Sequence, residues 1–389
     1  LHTDVAEIDF VSMYPSIMVH HNISPETVPA SRPAGEQSTY PNPDNQPAGL
    51  IPLTLAPLLE KRLAFKRRLT NLPAWNPIKR AYKARASAHK WLLVTCFGYL
   101  GYKNARFGRI EAHEAVTSHG REALLQAKEA AEDFGFTILH MYVDGLWIHK
   151  EGSANPTDLQ PLLDEITVRT GLPIILEGIY RWVAFLPSRL DKRVPVANRY
   201  FGVYQDGTVK ARGVEFRRRD TPPWIAEIQH EILEQLARSQ NAEQIHQILP
   251  EMTACLRRHL ADLQAGRVPL EKLVVGQKLS RPVEEYRSLS PAARAVAQLE
   301  LIDKSLRPGQ MARFLYMLGQ PGVHAWDLPH RPDSSHLDIE RYSVLLIRAA
   351  STLLQPFGLD ESTLRKQIFY PGYIPQSPAK ALRLFEKIT

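Results

Sequence analysis

The chain has 389 residues, 44% hydrophobic and 23% charged, the balance of a globular protein with room for about two or three domains. Its two cysteines, Cys96 and Cys255, exclude a disulfide framework and a cysteine-rich zinc ribbon and suit a reducing cytoplasm. No apolar run approaches the ~20 residues of a membrane-spanning helix, and a net charge of +7 points to an anionic partner.

Residues 4–12, DVAEIDFVS, alternate. Ala6, Ile8 and Phe10 share one face while Glu7 and Asp9 share the other, which predicts a strand burying one side and offering carboxylates from the opposite side. Pro15 in the following YPSIMVHH suits a first helical turn. Residues 29–52, rich in Pro, Asn, Gly and Ser, read as a loop. Two basic stretches, roughly 53–71 and 77–96, separated by NLPAWNP, read as a helical hairpin. Residues 111–134 read as an amphipathic helix and 137–149 as a β-hairpin, with strands near 173–185 and 199–216. After RRRDTPP the composition changes: 224–263 and 290–318 read as helical, and the tail is interrupted by prolines. This places a domain boundary near Asp220. The chain opens at Leu1 rather than Met, a few residues before its strongest motif, so a longer protein with an upstream domain is expected.

Positive charge is clustered in EKRLAFKRRL (60–69), IKRAYKARASAHK (78–90) and EFRRRD (215–220). Any one of these alone is an ordinary solvated face. Three beside acid-bearing strands point to phosphate contact. A strand ending in Asp9 and turning into a helix can hold a divalent cation while free N–H groups of the turn receive phosphate. Tyr14 projects from that turn, where it can pack against a sugar; for either residue alone, a strand-end acid and a core tyrosine are the plainer reading. HEAVTSH (113–119) lacks the zinc-protease spacing, and adjacent His20 and His21 seldom converge on one ion. No Walker phosphate loop or dinucleotide fingerprint occurs, and no acid-rich exonuclease segment lies within these residues.

DFVSMYPSI, Asp9 to Ile17, resembles the first palm motif of family B DNA polymerases. The resemblance extends along almost all of the chain. NISPET and GLIP look like the segments leading into the fingers, LLEKRLAFK like the first finger helix, and KARASAHKWLLVTCFGYLGY like the second. ARFGRIEAHEAVTSHGREAL looks like the palm helix that follows, and NRYFGVYQDG and KARGVEFRRRDTPP like the last palm strands and the junction with the thumb. The resemblance implies an α+β right hand: an antiparallel-sheet palm in residues 1–50 and 104–220, helical-hairpin fingers in 51–103, and a mainly helical thumb in 221–389.

The function so implied is template-directed DNA synthesis, with nucleotidyl transfer from a dNTP to a primer 3′-hydroxyl. Asp9 and Asp144 would be catalytic and hold Mg²⁺ in a two-metal site, with Glu177 in PIILEGIYRW as a third active-site carboxylate and Glu7 a lesser candidate. Tyr14, Arg62, Lys66, Lys90 and Phe97 would bind the nucleotide. Lys83, Ser87, Lys90, Val94 and Phe97 fall on one helical stripe, and Arg62 and Lys66 lie one turn apart. Arg199, Tyr200, Arg217, Arg218 and Arg219 would grip primer–template DNA. The implied partners are that DNA, dNTPs, and an upstream exonuclease-like domain or other replication and repair proteins. The implied location is the cytoplasm at the nucleoid, with no membrane association.

Three departures complicate this picture. Val94, Thr95 and Phe97 stand where the family's second finger motif has Asn, Ser and Tyr, and Ala197-Asn198 stands for two lysines before Arg199-Tyr200. At HMYVDGLWIH (140–149) the family carries Tyr-Gly-Asp-Thr-Asp-Ser. Aligned from the tyrosine, Asp144 matches the first acid and Leu146 replaces the second, a loss that would slow catalysis about a thousandfold if it removes ~4 kcal/mol of transition-state stabilisation. Asp144-Gly145 between apolar runs is also a plain hairpin-turn signal. The pattern resembles a divergent bacterial and archaeal branch described as inactivated. It leaves a second function open: a catalytically inactive, polymerase-like DNA-binding subunit. A third reading, synthesis on damaged or RNA templates, follows from Val94 and Phe97.

Overall fold

A computed structural model describes residues 1–29, 47–73, 75–188 and 194–370. Most of the expected 29–52 loop and the Pro-interrupted tail beyond 370 lie outside the described residues. The chain divides into two compact units, Asp4–Tyr180 and Leu1–Thr3 with Arg181 onward.

In the N-terminal unit, β1 (His2–Phe10) leads through a turn at Ser12 into α1 (Met13–His20). The basic helical hairpin follows as α2 (Leu50–Asn71) and α3 (Pro77–Leu100), the latter started by Asn76, whose side chain accepts from the Ile78 N–H, and by Pro77 at its first turn. Then come α4 (Ile110–Asp133), β2 (Thr137–Tyr142), β3 (Gly145–His149), α5 (Pro156–Thr170) and β4 (Ile174–Pro187). The strands order β2-β3-β1-β4, with β1–β3 and β2–β3 antiparallel. Helix α4 buries a stripe of small residues, Ala112, Ala115, Gly120, Ala123, Ala127, Ala130 and Ala131, and packs against α1 and α5. Small side chains at this spacing let neighbouring backbones approach closely. Helix α5 was not anticipated, although its signals are present: a capping box at Asn155 and Asp158, Pro156 at the first turn, and left-handed Gly171 (φ 66°) at its end.

One expectation for β1 is corrected. Val5 through Ile8 are all buried, so the strand is not open on its carboxylate side over most of its length. Glu7 is 4% exposed and accepts a hydrogen bond from the Tyr180 hydroxyl at 2.7 Å. The reason is position: β1 lies inside the sheet between β3 and β4, so its middle is covered, while His2–Asp4 at one end are exposed and Asp9 at the other is half-buried.

In the C-terminal unit, β4 runs on beside β5 (Pro195–Tyr204), which pairs with β6 (Val209–Arg212). Then follow α6 (Pro223–Arg238), α7 (Ala242–Gln264), the single turn α8 (Leu270–Leu273), β7 (Val275–Lys278), α9 (Pro291–Glu300), β8 (Met311–Tyr316), β9 (Val323–Ala325), α10 (Ile339–Leu354) and α11 (Glu361–Phe369). Strands β7, β8 and β9 form a separate antiparallel sheet. Residues 290–318 are therefore not one helix: α9 stops at Glu300, and Met311–Tyr316 is a strand paired with β7 and β9. The two compact units divide between Tyr180 and Arg181. Trp182, Phe201, Val203 and Val214 share one apolar core with Trp224, Ile228, Leu256 and Phe357, so the last palm-like strands pack with the helices that follow them. Among the described residues no helix is long and apolar enough to cross a membrane.

Candidate active site

The register of β1 on β3 sets the site. Asp9 faces Gly145, Ile8 faces Leu146 and Glu7 faces Trp147. Directly opposed residues in an antiparallel pair put their side chains on the same face. Leu146 therefore points with Ile8 into the core, and both are 0% exposed. A carboxylate at position 146 would sit among apolar side chains rather than beside Asp9. On the opposite face, Asp9 is half-buried and Gly145 offers no side chain. A Cβ added at Gly145 would lie 3.6 Å from both Asp9 Oδ1 and the Trp147 ring, in ordinary contact with each.

Asp144 precedes Gly145 in the hairpin turn, and its carbonyl accepts the Phe10 N–H at 2.9 Å. This ties the turn to the strand end that carries Asp9. The turn residues are Val143 and Asp144 between paired Tyr142 and Gly145, not Asp144-Gly145. Val143 takes φ 57°, a left-handed conformation that is costly for a β-branched side chain. Strained backbone of this kind gathers at functional sites. Tyr14 senses the acid: burial, then the negative charge of Asp144, push its phenol above the ordinary range, with Arg121 opposing.

The ring of Tyr14 lies 4.3 Å from that of Phe97 on α3, and Phe97 in turn stacks on His113 at 4.3 Å. Gly120 makes room for this column, because a Cβ there would come within 3.1 Å of Tyr14 Cε1. Arg62 is 7% exposed. It donates from Nε to Ser12 Oγ at 2.9 Å and from Nη1 to the Ala86 carbonyl at 2.6 Å, so its guanidinium bolts α2 to the Asp9–Tyr14 turn and to α3. Burial lowers its pKa, and the charge of Glu177 opposes that. One turn on, Lys66 Nζ is 3.9 Å from Glu177 Oε1, both about one-third exposed. The expected third carboxylate thus faces the finger cations. Lys83, Ser87, Lys90 and Val94 form an open stripe on α3, and Phe97 is partly buried below it. Sequence reasoning missed Ser12, whose left-handed backbone (φ 52°) and hydroxyl receive Arg62; the serine of the DFVSMYPSI motif was the available signal.

The expected DNA contacts separate. Tyr200 is 2% exposed, with its ring 6.0 Å from Phe185, and presents DNA with almost no surface. Arg199 is half-buried, donates to the Gly213 carbonyl at 3.2 Å and lies 4.0 Å from Glu215. Asn198 takes φ 54°, a conformation asparagine tolerates better than lysine does. Arg217, Arg218 and Arg219 are exposed. Their segment is anchored by buried Gln229, which accepts the Phe216 N–H at 2.7 Å and donates to Glu215 and to the Ala349 carbonyl. Arg218 pairs with Asp220 through two bonds, at 2.9 and 2.6 Å. Arg219 lines a cavity of about 470 Å³ with Lys278, Ser280 and Tyr286.

The model of DNA polymerase family B matches residues 1–144 and 196–337. DNA polymerase 2 of Aeropyrum pernix is 26% identical over 94% of this chain and 44% of its own length. The DNA polymerase of Pyrococcus glycovorans is 28% identical over 93% of this chain and 46% of its own. The structure of the family B DNA polymerase from the hyperthermophilic archaeon Pyrobaculum calidifontis superposes with a TM-score of 0.58 at 25% identity, covering 90% of this chain and 45% of that one. A helix-and-antiparallel-sheet fold carrying a strand-end aspartate beside a basic helical hairpin defines a polymerase-type core. The chain belongs to DNA polymerase family B, and it spans about half the length of the curated relatives it matches.

Proposed function

We propose that this chain carries out template-directed DNA synthesis, adding a dNTP to a primer 3′-hydroxyl, with Asp9 and Asp144 as its catalytic pair. The observation that carries the reading is the β1–β3 register. It sets Asp9 against Gly145, ties the Asp144 turn to the same strand end, and buries Leu146 on the other face. In this reading Leu146 is a core residue rather than a lost ligand. Asp144 then takes the place of the motif's second acid in a hairpin shortened ahead of it.

The donor set fits Mg²⁺, which prefers hard oxygen ligands, and Gly145 sets no side chain of its own against the Asp9 carboxylate. Asp9 and Asp144 would hold the ions, which when bound lower the pKa of the primer hydroxyl and balance charge on the leaving pyrophosphate. The chain's own residues orient the substrate. The Tyr14–Phe97 stack forms an apolar wall at the sugar and base, with Tyr14 excluding a ribose 2′-hydroxyl by contact. Lys90 and Lys66 face the triphosphate, Glu177 acting as the counter-ion of Lys66. Arg62 positions the fingers on the Ser12 turn. Arg217 and Arg219 neutralise the primer–template backbone. The whole protein is expected to work with an upstream exonuclease-like domain or with replication and repair proteins at the nucleoid.

Burial of Arg62 and the Lys66–Glu177 pair favour the second reading, a DNA-binding subunit without synthesis, because they tie up cations that an enzyme would spend on triphosphate. Mg²⁺-dependent primer extension by the full-length protein separates the two. Extension that disappears in Asp9→Asn and Asp144→Asn supports synthesis. Duplex binding that weakens steeply with salt, with no extension above the Asp9→Asn background, rejects it.

A further inference from the structure

Among the described residues, the group with the donor chemistry of a metal site lies in the C-terminal unit, on helices α6 and α7. Cys255 and His259 are four residues apart on α7 and so share one face of it. Glu231 meets them from α6. The candidate ligand atoms of all three lie within 4.8 Å of one another. The Cys255 S–H donates to Glu231 Oε1 at 3.2 Å, and His259 Nε2 is 2.9 Å from Glu231 Oε2.

The fold fixes this convergence. Ile228, Ile232 and Leu233 set the rotation of α6, and Leu256 and Leu260 set that of α7, which leaves the three donors at the margin of the core. Cys255 is 2% exposed, while Glu231 and His259 are half-buried and reachable from solvent. Arg258 Nη2 stands 3.6 Å from Glu231 on the exposed side.

Thiolate, imidazole and carboxylate together suit a borderline cation of the zinc class and not Mg²⁺, which does not take sulfur. Metal–ligand bonds of ~2.0–2.3 Å in a tetrahedron separate the donors by about 3.3–3.8 Å. To admit an ion, the two hydrogen-bonded pairs open by a few tenths of an ångström and the Cys255–His259 pair, now within 4.8 Å, settles to the same range. We infer that Glu231, Cys255 and His259 form a zinc-class transition-metal site that cross-braces α6 and α7, with a water completing the fourth position. On binding, the thiol proton is released to solvent, the imidazole presents an unprotonated Nε2, and Glu231 exchanges its two hydrogen bonds for one bond to the ion.

The test uses the full-length protein with Co²⁺ and Zn²⁺ as probes. The expected result is one equivalent of Co²⁺ giving tetrahedral visible bands and a thiolate-to-cobalt charge-transfer band, displaced by Zn²⁺. Both signals disappear in Cys255→Ser and in His259→Gln. They persist in Cys96→Ser, which removes the other cysteine, and in Asp9→Asn, which disables the palm acids. Zn²⁺ raises the Tm of the unmodified chain and not that of His259→Gln, a comparison that stands even if Cys255→Ser fails to fold. Absence of a thiolate band, its survival in His259→Gln, or a Zn²⁺ effect on Tm equal in both chains overturns the site and leaves a hydrogen-bonded cluster between two helices.

Discussion

The two faces of the β1–β3 pair carry opposite demands at adjacent positions. At one step Ile8 meets Leu146, both fully buried; at the next half-buried Asp9 meets Gly145, which has no side chain. A shift of one residue exchanges every side chain between faces. Counting acids along a motif therefore says less about a site than knowing which face each residue occupies. Leu146 looks like a lost ligand when the hairpin is aligned from its tyrosine, and like a packed core residue when it is read from its partner strand.

The sharpest way to break this comparison is to exchange polar and apolar character across it. On the Asp9 face, Asp9→Asn is expected to lower primer extension by about a thousandfold, or ~4 kcal/mol of transition-state stabilisation, with the thermal midpoint little changed. Asp144→Asn should match it. A small loss in Asp144→Asn alone would make Asp144 a turn residue. On the buried face, Leu146→Asp is expected to destabilise the chain by about 4 kcal/mol, because a carboxylate is buried without a partner. Denaturant unfolding reads this directly. A stable Leu146→Asp variant with faster extension would show that position 146 faces the site after all.

Two further measurements sharpen the comparison. Arg62→Met removes the two donated bonds to Ser12 and Ala86, leaves those acceptors partly unmatched, and is expected to cost about 2 kcal/mol of stability. A pure triphosphate ligand would instead raise the KM for dNTP and leave unfolding unchanged. Val143→Gly relieves the left-handed backbone at φ 57° and is expected to stabilise the fold by about 1 kcal/mol. If the strain positions Asp144, that variant unfolds later yet extends primers more slowly. Tyr14→Ala should raise ribonucleotide incorporation relative to deoxynucleotide incorporation.

Donor chemistry separates the palm acids from the group on α6 and α7. Asp9 and Asp144 offer only oxygen at the end of a sheet. Glu231, Cys255 and His259 offer oxygen, sulfur and nitrogen between two helices. The first pair could be proposed from the sequence because a strand–turn motif and a hairpin carry it. The second did not, because Glu231 lies on a different helix and only the Cys255–His259 spacing is local.

The sequence by itself determined the family, the helical hairpin, the strand ending in Asp9, and the basic segments 60–69, 78–90 and 215–220. All of these rest on local pattern: period, capping residues, and a motif whose residues act within one turn of each other. Tertiary structure alone decided what those residues touch. It buried Glu7 beneath Tyr180, spent Arg62 on Ser12 and Ala86, paired Lys66 with Glu177, turned Tyr200 inward and put Leu146 in the core. It also joined the strands after residue 180 to the helical unit through Trp182 and Phe201. The physical reason is common to all of them: burial and pairing depend on the neighbouring strand or helix, and that neighbour lies tens to more than a hundred residues away along the chain.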